Sequence, residues 1–221
     1  MSETIYVEGS GAECDATLNT WMKDLLPRTP GAVRAVVQRE LVLAAREFYE
    51  RSCAWRVVIG PKNIVANRAK YPLSPYDAYA NVVRVLQVEF NESPLRRLAR
   101  RPSGETETAT TPSHYYLIQP DTLQLWPTPT ASATGALTVW AALTPKPSVT
   151  HLPNISVTHH YDALLDGTLG RLLAHPAKPY SNVELGKYHL NRFRDAIGVY
   201  KAEAASGYTG GQVWRYPRFG V

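Results

Sequence analysis

Apolar residues recur at three- and four-residue steps through TPGAVRAVVQRELVLAAREFYERSCAWR, residues 29–56, the longest helical pattern in the chain. Val33, Val37, Leu41, Ala44, Ala45 and Phe48 make the stripe, while Arg34, Gln38, Arg39, Arg46 and Glu47 fall largely off it. Thr29 as N-cap and Pro30 in the first turn predict the start. At the other end Trp55 and Arg56 run straight into Val57, Val58 and Ile59, so helix is expected to pass to strand with almost no linker, and Trp55 to be buried at that junction. Upstream, CDATLNTWMKDLL predicts a shorter helix with Leu18, Trp21, Met22, Leu25 and Leu26 on its apolar face, stopped by Pro27 and folded back as a helical hairpin.

The period then changes to two. Short strands are expected at 56–60 and 63–66 around a Gly60-Pro61 turn, with an extended edge at 71–73. ANVVRVLQVEF, residues 80–90, alternates most clearly: Val82, Arg84, Leu86, Val88 and Phe90 on one face, Val83, Val85, Gln87 and Glu89 on the other. Residues 95–98 pair back before a polar loop at 99–113, a hairpin joins 115–118 to 122–126, and 135–143 alternates again. Prolines close these strands, as in a small sandwich or barrel. After an extended crossing at 145–153, helices return at 158–175 and 183–205. In the first of them Gly167 and Gly170 imply close approach of another backbone. In the second, Ser181 and Glu184 form a capping-box pattern, and Leu185, Tyr188, Ala196, Val199 and Tyr200 lie near one face.

The order predicts an α+β fold: a helical bundle from N- and C-terminal helices (1–55 and 151–205), an inserted antiparallel β-sandwich or barrel-like section (56–150), and an extended C-terminal tail (206–221). A chain of 221 residues with 44% hydrophobic content can bury a real core. Its net charge of +5 permits association with nucleic acid without demanding it. Two cysteines, Cys14 and Cys53, suit free thiols in a reducing cytosol. No export signal or membrane anchor is legible.

Candidate chemistry is sparse. His151, His159, His160, His175 and His189 lack the spacing of a zinc site and read as surface or capping residues. Gly186-Lys187 lies inside a helix, not after a strand, so it is no phosphate loop, and Gly9-Ser10-Gly11 has no strand before it. Asp162, Asp166 and Asp195 are expected in ordinary surface pairs. No enzyme, metal site or cofactor is predicted. Arg96, Arg97, Arg100 and Arg101 form the one dense basic patch. The tail combines Tyr208, Trp214, Tyr216 and Phe219 with Arg215 and Arg218, side chains suited to anchoring on a partner or to folding back on their own domain.

The element order and the runs REFYERSCAWRVVI, KYPLS, VVRVLQVEFNESPL, LQLWPTPT, VWAALTPKP and YDALLDGTLGRLLAHPAKPYSN together resemble the head-to-tail adaptor proteins of short-tailed phages, the head-completion or tail tubular protein A-like family. They cover most of residues 30–200 in the family's order. The resemblance implies a structural protein of the virion neck, assembled in the host cytoplasm. It would form a homo-oligomeric ring of about twelve copies. It would dock on the portal protein, extend the channel for double-stranded DNA and receive the tail nozzle or tail tubular protein. On that reading Arg34, Gln38, Arg39, Arg46 and Glu47 are candidates for contacts between subunits, and the tail from residue 206 reaches the portal. The basic patch either faces the DNA or is solvated and paired with Glu92, Glu105 or Glu107 of a neighbour. The alternative function is a sequence-independent nucleic-acid-binding module.

Overall fold

The computed structural model describes residues 16–73, 79–100 and 108–206. The first long helix is α1, Asn19–Arg28, preceded by a two-residue strand, β1 (Ala16–Thr17). Pro27 sits in its last turn and does not end it. Thr29 closes this helix instead of opening the next: its N–H reaches Leu26 O and its hydroxyl donates to Leu25 O at 2.8 Å. Gly31, at φ +82°, turns the corner, and α2 begins only at Arg34 behind an extended Val33 and runs to Ser52. At its far end Cys53 takes the left-handed conformation, φ 53°, and its N–H satisfies Tyr49 O. Trp55, 1% exposed, packs edge-on against Tyr49 where the chain enters β2, so the expected junction is present.

β2 is one strand, Arg56–Ile64, and Gly60-Pro61 is not a turn within it. The peptide bond before Pro61 is cis, and the pairing register shifts around it. A Cβ on Gly60 would lie 2.6 Å from Leu137 O, so only glycine fits there. The remaining strands are β3 (Lys70–Pro72), β4 (Ala80–Phe90), β5 (Ser93–Pro94), β6 (Arg96–Arg97), β7 (Thr108–Ala109), β8 (His114–Gln119), β9 (Thr122–Trp126), β10 (Thr128–Pro129), β11 (Ala133–Pro145) and β12 (His151–Leu152). One four-stranded sheet has the order β2-β11-β4-β5 and a second β3-β9-β8-β6. β5 and β6 are neighbours in sequence, so Leu95 carries the chain from one sheet to the other: its N–H bonds to Val88 O, and the N–H of Leu98 to Tyr115 O. β4 occupies the expected residues but not the expected faces. Two register shifts against β11 break the alternation, so Ala80, Val82, Val85, Val88 and Phe90 are buried together. The return crossing is pinned by β12, which pairs antiparallel with β1.

Three helices complete the bundle: α3 (Ile155–Thr158), α4 (Tyr161–Leu173) and α5 (Val183–Ala205). The α3–α4 break falls where one helix was expected, and it places His160 between them. The expected close approach at the glycines is observed. A Cβ on Gly167 would stand 2.7 Å from the Phe193 ring, and one on Gly170 2.7 Å from Leu190, so α5 lies directly against α4. Asn182, not Ser181, caps α5, its side chain accepting from Leu185 N. The core-facing side of α5 is Gly186, His189, Phe193, Ile197 and Ala204. Leu185, Tyr188 and Val199, which the sequence groups with Ala196 and Tyr200 near one face, are exposed. The core runs without interruption from Trp21, Leu41 and Phe48 in the bundle to Val88, Leu125 and Leu137 in the sheets.

Candidate assembly surfaces

α2 is the bundle's polar spine as well as its apolar wall. Glu40 lies in phase with the stripe, three residues after Val37 and four before Ala44, and it is buried. Its carboxylate meets the Arg39 guanidinium at 2.8 Å and His175 Nε2 at 3.8 Å. Seven residues on, Glu47 accepts from Arg171 at 2.5 Å and from Arg51 at 2.9 Å. Partial burial pushes the Glu47 carboxyl up, but hydrogen bonds from Arg171 and Arg51 outweigh it and hold it below the usual carboxylate range. The two glutamates thus form a ladder along the seam between α2 and α4. A charge sitting on an apolar phase was the sequence signal for Glu40.

The five interface candidates are therefore not equivalent. Arg34 is exposed and donates to Asn19 Oδ1 at 2.6 Å, and Gln38 is half-buried beside it on α2. Arg39 is solvent-facing, with 66% of its side chain exposed, yet it also neutralises buried Glu40. Arg46 approaches Glu50 at 3.5 Å, and Glu47 is committed within the chain.

Two of the histidines that read as surface or capping residues, His160 and His189, are buried, and His160 is the N-cap residue of α4. His160 is fully enclosed by Phe48, Tyr49 and Tyr200, with ring centroids 4.9, 5.6 and 4.7 Å away. Its Nδ1 lies 3.1 Å from the Tyr49 hydroxyl, which also meets Ser156 Oγ at 2.6 Å, and its Nε2 has no hydrogen-bond partner among the described residues. Burial, and secondarily the neighbouring His159, lower its pKa to about 4. His189 contacts buried Asp166 at 2.7 Å, and Arg192 closes on the other Asp166 oxygen at 3.2 Å. Asp166 is thus an interior clamp between α4 and α5, whereas Asp162 and Asp195 make no ion pair among the described residues. α4 is further tied to α1 by the Tyr161 hydroxyl, which donates to Asp24. Burial first, then that hydrogen bond and the Asp24 charge, push the phenol's pKa up.

Arg96 and Arg97 form an exposed edge strand, with β6 parallel to β8, and exposed Arg100 follows. None of the three makes an ion pair among the described residues. Arg101, Glu105 and Glu107 lie outside the described residues, as do the tail positions Tyr208, Trp214, Arg215, Tyr216, Arg218 and Phe219 and the N-terminal Cys14. Among the described residues no group of three His, Cys, Asp or Glu side chains could hold a metal ion, and no helix is long and apolar enough to cross a membrane. The profile of the SU10 adaptor protein family matches residues 12–215. No individual curated protein matches the chain.

Proposed function

Because the chain belongs to the SU10 adaptor protein family, structural proteins that join phage head to tail, we propose that it acts as a ring-forming neck component docked on the portal. The observation that carries this reading is the extent of the match, which begins before α1 and runs into the C-terminal tail. The ring would hold about twelve copies, extend the DNA channel and present the attachment site for the tail nozzle or tail tubular protein. Its contacts would draw on the solvent-facing side of α2, with Arg34, Gln38 and Arg39 the most available, and on Arg46 and Glu47 where their internal pairs leave free lone pairs or N–H groups. The tail would reach the portal, with Tyr208, Trp214, Tyr216 and Phe219 as anchors and Arg215 and Arg218 as fork donors. Electron microscopy of the protein mixed with its portal tests this directly: a ring on the portal's distal face is expected, and its absence refutes the docking role.

Sequence-independent DNA contact is a second reading, favoured by the exposure of Arg96, Arg97 and Arg100 on one edge. It calls for a duplex affinity that falls steeply with salt and for a shallower slope when those arginines are neutralised.

A further inference from the structure

α5 carries two helical phases at once. Its core face is the one described above. On the opposite side Leu185, Tyr188, Arg192, Asp195, Val199 and Ala202 follow alternate steps of three and four residues, the spacing of a seam that packs against another helix. All six are exposed, Leu185 by 43%, Tyr188 by 54% and Val199 by 56%, and no element of the chain covers them among the described residues.

We propose that a second copy of this chain docks on this seam, its α5 antiparallel to the first. The direction follows from charge. In a parallel pair Arg192 would oppose Arg192 and Asp195 would oppose Asp195, an arrangement of like charges. Reversing one helix sets Arg192 against Asp195, Tyr188 against Val199 and Leu185 against Ala202, each combination occurring twice about a two-fold axis. Asp195 is free to pair, having no ion-pair partner among the described residues. Arg192 is already oriented, its Nε held by Asp166 at 3.2 Å and its head over the Tyr188 ring, while 53% of the side chain remains exposed.

One helix seam falls below the ~1,200–2,000 Å² of a stable interface, so the pair is weak and concentration-dependent. It also cannot join neighbours in a ring whose copies all point the same way. If the ring reading holds, the pair is a form of the free protein that assembly must undo; the pairing itself does not depend on that reading.

Sedimentation velocity of the isolated full chain, from low to several hundred micromolar, tests it without the portal. The wild type should dimerise reversibly and more weakly as salt rises, and Asp195→Arg should weaken association about tenfold with an unchanged thermal melt. Under mild oxidation Tyr188→Cys/Val199→Cys should give a covalent dimer, while either single variant and the unaltered chain should not. A chain monomeric throughout, an Asp195→Arg variant that associates as before, or single variants that cross-link as readily as the double would each overturn the proposal. A monomer that takes a different protein on this face would do the same.

Discussion

At the residue scale, buried His160 makes the fold sensitive to acid. Its folded pKa, about 4, lies below the unfolded value of 6.5, so the unfolded chain binds the proton more readily between those limits. The stability it contributes is complete above pH 6.5 and is lost as pH falls toward 4, by up to about 3 kcal/mol for a shift of this size. Urea denaturation at successive pH values should show that slope, and His160→Phe, which keeps a ring among rings, should flatten it. Glu47 acts on the same side but later: its lowered folded pKa means that its contribution persists into more acidic solution before protonation removes it. Gly167→Ala and Gly170→Ala should each destabilise by roughly 1–3 kcal/mol in the same assay, because the added methyl meets Phe193 or Leu190. Arg39 is a poor site for testing subunit contacts, since reversing its charge would also leave buried Glu40 beside a second negative group. Arg34→Glu is the cleaner probe, as its one partner among the described residues is the neutral side chain of Asn19.

At the element scale the connection from α2 to β2 is the feature most readily broken. Trp55 is enclosed between the bundle and β11, whose Leu143 N–H bonds to its carbonyl. Trp55→Ala should cost about 3–5 kcal/mol in thermal or chemical denaturation. A loss under 1 kcal/mol would show that bundle and sheets do not depend on this junction. The helices themselves were legible because their long stripes outweigh local detail, and α5 was placed at its true limits. Which side of α5 faces inward was not. The true core side is interrupted by Gly186 and His189, so hydrophobicity favours the outer seam of Leu185, Tyr188 and Val199, and only packing against Gly167 and Gly170 reverses that choice.

For the whole molecule, assembly is the measurable property. Truncation after Ala205 removes none of the described core and should leave the melt unchanged while abolishing docking on the portal. A truncated chain that folds and docks as well as the full one would refute the role proposed for the tail. Arg34→Glu should lower the yield of rings counted by electron microscopy and leave the monomer's circular dichroism intact.

The sequence by itself determined the α+β order, the bundle made from both ends of the chain and the adaptor kinship, because these rest on long periodic segments and on collinear motifs. An acid on the apolar phase of α2 marks Glu40, but the sequence could not place its partner His175, nor His160 or the Asp166–His189–Arg192 clamp. Each depends on residues more than twenty positions apart meeting in one apolar space, where a polar group must find its partner. Nor could it assign the faces of β4 or the passage of β2 through Gly60-Pro61. A bulge shifts every later side chain by one position, and that shift is set by the strand alongside, not by local sequence.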